Sequence, residues 1–230
     1  MSTRRSVLSG AVALLGTGAA AAAPPPHPAG AQPSAATPAE AASGVTPKFP
    51  EYAPGDVRRY GIVPNDAAAA GANTTALKAL VAPAGAFSGT VWFPNSTGKD
   101  TYYLNDIVCF HDGIQVDLQG CTLHFSKPGE RRDTNAGFIF ALRDFSISNG
   151  SIVVDYQRGG GGTDAGNALT FGKRGEDGSY FGPIYDSKLP VPMGNITVRN
   201  LRITANTRGG IGILMFGGLN GVILENVWLD

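Results

Sequence analysis

The sequence predicts an all-β chain wound as a parallel β-helix, with three strands to each turn. Three observations carry this. One apolar skeleton recurs in "VDLQGCTLHF" at 116, "FSISNGSIVV" at 145, "ITVRNLRITA" at 196 and "VILENVWL" at 222. In each copy the apolar parity slips by one residue at the same place. The slips fall at Gly120, Asn149, Asn200 and Asn226, at spacings of 29, 51 and 26 residues, and two of these suit one turn of a stacked array.

The slip is informative because strand side chains alternate strictly between faces. Phe145 and Ile147 are odd-numbered, whereas Ile152 and Val154 are even. A straight strand would turn its apolar residues outward halfway along; a bent one keeps both halves facing one core. Gly and Asn are the residues that tolerate the left-handed backbone a bend requires. Stacking would bring Asn149, Asn200 and Asn226 together as a structural ladder of amides.

The elements follow in chain order. Residues 1–31 read as an export signal, with an arginine pair, a modest apolar run and small residues after it. "TRRSVL" at 3 resembles a twin-arginine signal, and an ordinary secretory signal with two basic residues is the alternative. Both place the protein in the periplasm or outside the cell. Residues 32–54 are rich in Pro, Ala and Ser and predict a disordered linker. The domain occupies 55–230. "NTTALKALVAPAG" at 73 predicts a short helix capping the first turn, with Asn73 as N-cap and Pro83 at its end. "GTVWFP" at 89 begins the sheets. "GFIFAL" at 137, "NALTF" at 167 and "GIGILMF" at 210 supply a third strand per turn, and the 51-residue spacing absorbs two long loops. Phe138, Phe140, Phe145 and Phe171 are expected in the core. The last turn stops at Leu229-Asp230 without a cap, so the array is expected to be C-terminally incomplete.

Composition excludes some roles. Lys plus Arg equals Asp plus Glu at 18 each, which leaves no electrostatic footprint for nucleic acid or for a membrane surface once the signal is removed. Two cysteines, Cys109 and Cys121, form no framework; a bridge between them and a buried free thiol at Cys121 are the alternatives. His111 and His124 lack metal-ligand spacing, and no metal site is expected.

"GDVRRYGIVPND" at 55, the helical patch and "GTVWFPNSTGKDTYYL" at 89 resemble the pectate lyase-like superfamily, over roughly residues 55–230. The matching residues are Tyr60-Gly61-Ile62 and Gly89-Thr90-Val91-Trp92-Phe93-Pro94; an Asp-Gly segment common there is replaced by Asn65-Asp66 and an alanine run. The resemblance implies a right-handed parallel β-helix and a role at polysaccharide. Hydrolases, lyases, epimerases and phage tailspikes share the fold, so it does not by itself imply one activity.

The polygalacturonase-type hydrolases of that superfamily carry an Asn-Thr-Asp segment. "NTRGGIGI" at 206 stands in its place, with Arg208 where the catalytic-type Asp would be. An inverting glycosidase needs two carboxyl groups flanking a water, and no matching pair is seen. A lyase would instead need a base and a cation such as calcium against an acidic sugar. The candidate catalytic residues are Asp155, Asp177 and Arg208. Arg174, Tyr180 and Tyr185, in the second long loop, are candidates for binding substrate. The expectation is an exported protein acting on polysaccharide as a lyase or hydrolase; the alternative is a non-catalytic glycan-binding or structural module.

Overall fold

The computed structural model describes residues 35–81, 89–106, 108–126, 137–141, 143–155, 167–172, 193–205, 212–215 and 219–230. Among the described residues strands dominate, helices are few, and every strand pairing is parallel. The strands are β1 Gly89–Trp92, β2 Thr101–Leu104, β3 Val108–Cys109, β4 Ile114–Asp117, β5 Thr122–Phe125, β6 Gly137–Ala141, β7 Arg143–Val154, β8 Asn167–Phe171, β9 Met193–Ala205, β10 Ile213–Met215 and β11 Leu219–Leu229.

They stack in three columns. The first runs β1, β4, then the leading halves of β7, β9 and β11. The second runs β2, β5, then the trailing halves of the same three strands. The first two columns are joined through the bent strands into one strongly curled sheet. The third runs β3, β6, β8, β10.

The parity slip appears as burial. Phe145 and Ile147 are buried before the bend, Ile152 and Val154 after it. Ile196 and Val198 give way to Leu201 and Ile203 in the same manner. The bend residues are left-handed, with φ of 83° at Gly120, 62° at Asn149, 49° at Asn200 and 52° at Asn226. Phe145 touches both Phe110 and Phe171, with ring centroids 5.2 and 6.1 Å apart, so aromatic packing links the columns inside. The side chains of Phe138 and Phe140 lie outside the described residues.

The lowest bend is longer than the others. Asp117 pairs with Ser148 and Thr122 with Ser151, so residues 118–121 lie opposite only 149 and 150. Gln119 and Gly120 are both left-handed to take up the surplus. Gly150 sits against this bulge, and a Cβ there would lie 2.4 Å from Leu118 Cβ and 2.7 Å from the Cys121 carbonyl oxygen. Gly150→Ala is therefore expected to lower stability by about 2 kcal/mol through overpacking, measured by urea unfolding.

A second bend column was not foreseen. Gly113, Asp144, Asn195 and Gly221 all have positive φ, at 84°, 48°, 54° and 71°. Asn195 Nδ2 donates to Asp144 Oδ1 at 2.7 Å, and the Gly113 N–H donates to the Asp144 carbonyl at 2.8 Å. At the neighbouring Gly194 a Cβ would fall 1.6 Å from the Asn220 carbonyl oxygen, so only glycine fits.

The N-terminal part corrects two expectations. Residues 35–54, expected within a disordered linker, carry helix α1, Pro38–Ser43. Thr37 caps it, and Thr37 and Glu40 close a reciprocal capping box. Glu40 and Arg59 are fully buried and paired, with Arg59 Nε 2.7 Å from Glu40 Oε1. Tyr60 donates to the same oxygen at 2.7 Å. Arg59 also donates to the carbonyls of Pro50 and Tyr52, both at 2.8 Å, and to that of Ala35 at 3.1 Å. Burial alone would raise the Glu40 pKa, but hydrogen bonds from Arg59, Thr37 and Tyr60 hold it at about 2.

The cap helix α2 spans Ala70–Val81 and packs against β2 and β3. It starts earlier than expected, after a 3₁₀ turn over Ala67–Ala69 capped by Asp66. Asn73 is thus no N-cap. It is buried inside the helix, bonding the N–H and carbonyl of Val63 and the carbonyl of Tyr103. Pro83 lies outside the described residues. Cys109 and Cys121 are not bridged by a disulfide, and burial pushes the Cys121 thiol up to about 12.

Candidate functional site

The outward-facing positions of the second column form the candidate site, because they are where polar and aromatic side chains line up across the stack. Reading upward, one row holds Tyr103, His124, Val153 and Thr204. The next holds Thr101, Thr122, Ser151, Arg202 and Trp228. The inward partners of these rows are core residues such as Tyr102, Leu123, Ile152 and Ile203. From β2 to β9 each outward side chain is thus held on a strand whose opposite face is packed, which fixes its position.

His124 and Asp155 meet at the lower part of this face. Asp155 follows directly on β7, and its N–H donates to the Phe125 carbonyl at 2.8 Å. Its Oδ2 lies 3.0 Å from His124 Nε2. An ionised carboxylate only accepts, so Nε2 carries the proton and Nδ1 is the basic nitrogen of the neutral ring. The Tyr103 ring packs beside the same imidazole, tilted 45° to it, with centroids 5.2 Å apart. Higher on the face, Arg202 Nε is 2.5 Å from Asp230 Oδ2 beside the exposed Trp228. On the outer face of the first column, Arg199 pairs with Glu225 at 2.9 Å.

Of the candidates read from the sequence, Asp155 alone lies in the described structure. Asp177, Arg208, Arg174, Tyr180 and Tyr185 lie outside the described residues. Asp155 is the last described residue before the first long segment, 156–166. Asp230, which follows directly on β11, pairs with Arg202. His124, Tyr103 and Trp228 were not picked out. Extending the alternation from the first strands would have found them, since Tyr103 and His124 hold equivalent outward positions.

The amide ladder lies at the bend between the first and second columns. Asn226 Nδ2 donates to Asn200 Oδ1 and Asn200 Nδ2 to Asn149 Oδ1, both at 3.1 Å. Asn149 Nδ2 then donates to Asp117 Oδ1 at 3.1 Å, so the lowest member is Asp117 and not Gly120. Each ladder amide is engaged with its neighbours, a structural arrangement.

Among the described residues no group of three or more His, Cys, Asp or Glu side chains is placed to hold a metal ion. No helix among them is long and apolar enough to cross a membrane. No family model matches the chain, and no curated protein or solved structure matches it.

Proposed function

We propose that the chain is an exported right-handed parallel β-helix that engages polysaccharide through the outward face of its second column. The observation that carries the proposal is the Tyr103–His124–Asp155 group, held on packed strands next to a row of Thr and Ser hydroxyls. Flat rings beside hydroxyls and a carboxylate suit sugar, which offers apolar ring faces and many hydroxyl groups. The parallel columns, the bends and the capping helix support the β-helix assignment. Asp177, Arg174, Tyr180, Tyr185 and Arg208, which flank the strands in sequence, are proposed to extend the site. Calcium belongs to this proposal only if the reaction is a lyase reaction.

A catalytic reading is favoured by one observation, the His124–Asp155 hydrogen bond. A carboxylate that fixes the tautomer and orientation of an imidazole is how a general base is held. Such a base would take the proton on the carbon next to the carboxylate of a uronic acid residue; the C–H electron pair forms a C=C bond to the neighbouring carbon as that carbon's bond to the glycosidic oxygen breaks, and the leaving oxygen takes up a proton from water.

Both readings meet in one experiment. Purified protein is run by affinity electrophoresis in gels containing pectin, alginate or a neutral glucan, and the same mixtures are assayed for unsaturated and reducing ends. Retardation by at least one glycan is expected, weakened roughly tenfold by Tyr103→Ala, the equivalent of about 1.4 kcal/mol. If the site is catalytic, His124→Gln abolishes release of ends while retardation persists. Neither retardation nor release, from folded protein, would overturn the proposal.

A further inference from the structure

We infer that Asn95 is an attachment site for an N-linked glycan, transferred to its side-chain amide from a lipid-linked sugar diphosphate. The chain holds four Asn-x-Ser/Thr sequences, beginning at Asn73, Asn95, Asn149 and Asn195. In an exported protein such a sequence serves as an acceptor where it stands on a surface loop. The fold separates the four. Asn73 is fully buried within α2. Asn149 lies inside β7 and Asn195 inside β9. Of the four, Asn95 alone lies in no helix or strand, on the segment that joins β1 to β2. Residues 96–99, directly after it, are all exposed.

The amide nitrogens make the same division. Asn73 Nδ2 donates to the carbonyls of Val63 and Tyr103 at 2.9 and 3.2 Å. Asn149 Nδ2 donates to Asp117 at 3.1 Å and Asn195 Nδ2 to Asp144 at 2.7 Å. Asn95 Oδ1 accepts from the Asp100 N–H at 3.0 Å, whereas among the described residues no acceptor reaches its Nδ2. That nitrogen lies beside Gly120, where a Cβ would come within 3.1 Å of it, and the glycine leaves the space open. Thr97 supplies the hydroxyl of the sequence, and its Oγ1 donates to Asp100 Oδ1 at 2.5 Å. A transferase has to draw Thr97 away from Asp100. The exposure of residues 96–99 permits this, and a Cβ at Gly98 would meet nothing within 4 Å. In the transfer Nδ2 attacks the anomeric carbon of the donor sugar. The bond from that carbon to the diphosphate oxygen breaks, the electron pair leaves with the diphosphate, and the Nδ2 proton passes to a base of the transferase. The inference takes only export from the function proposed above, and nothing from the glycan-binding face.

The folded protein is incubated with a purified oligosaccharyltransferase and a lipid-linked oligosaccharide, next to free peptides carrying each of the four sequences. The transferase is one that modifies all four peptides, so selection among them in the protein comes from the fold. Intact mass is read under denaturing conditions, where a merely bound sugar is lost, and a peptide map places the glycan. One glycan per chain is expected, on Asn95, with roughly tenfold lower occupancy at Asn73, Asn149 and Asn195. Asn95→Gln and Thr97→Ala are each expected to abolish the mass gain with unchanged circular dichroism. A folded chain that stays unmodified, or one modified equally at Asn95 and Asn149, would overturn the inference. Neither result touches export or the glycan-binding face, since neither enters the assay.

Discussion

Replacing Arg59 by methionine is expected to lower the unfolding free energy by about 3–5 kcal/mol, the usual cost of leaving one member of a buried ion pair alone. Arg59 is the hub of the N-terminal part. It holds Glu40 of α1, and its remaining N–H groups satisfy the carbonyls of Ala35, Pro50 and Tyr52. Methionine fills much of the volume but leaves a carboxylate out of water and those carbonyls without their donor. The change is read as a fall in the urea midpoint at constant slope. Double replacement, Glu40→Met with Arg59→Met, is expected to cost less than Arg59→Met alone. A loss below about 1 kcal/mol for the single variant would show that α1 is not anchored through this pair.

The same pair sets a pH dependence. The Glu40 carboxyl is held at about 2, below its ordinary value of 4.5. A depressed folded-state pKa gives stability that is complete above the unfolded value and lost as pH falls through the folded one. Stability should therefore decline between about pH 4.5 and pH 2, and this part of the decline should be missing in Arg59→Met. Unfolding curves at stepped pH measure it directly.

The second large effect is expected at Asn200, the middle of the amide ladder. Asn200→Ala removes a donor and an acceptor and forces a Cβ residue without local hydrogen bonding into φ of 49°. The lost hydrogen bonds are worth about 1 kcal/mol at this exposed position, and the left-handed backbone adds about 1–2 kcal/mol. Asn200→Gly relieves the backbone cost, so it should lose only about 1 kcal/mol. The difference between the two variants measures the strain, and the glycine value measures the ladder. Equal losses in both would mean that the bend is held by core packing alone.

These positions also show which parts of the structure could be read from the sequence. The bent strands were legible because burial imposes a period of two, and Phe145, Ile147, Ile152 and Val154 record both the period and its interruption. The amide ladder was legible because one residue type recurs at Asn149, Asn200 and Asn226. The second bend column was not, since Gly113, Asp144, Asn195 and Gly221 meet the same backbone demand with three residue types. Helix α1 was hidden by its composition: Pro and Ala carry no periodic signal, and the partner that orders Glu40 is 19 residues away. The start of α2 was obscured because an alanine run bears no face, which made Asn73 look like a first residue. At the candidate site Asp155 was legible as a charge at a strand end. His124 was not, because its significance lies in contacts with Tyr103 and Asp155 from neighbouring strands.

The lowest rung of the amide column carries one more implication. Side-chain amides joined head to tail have aligned dipoles, as peptide groups do along an α-helix. Here each N–H points down, so the positive end of the row faces Asp117, whose carboxylate is the complementary charge. Asp117 acts as a counter-ion at the foot of a polar filament that rises through Asn149 and Asn200 to Asn226. Electrostatics thus gives the described ladder a direction, with an anionic group favoured beneath its lowest amide.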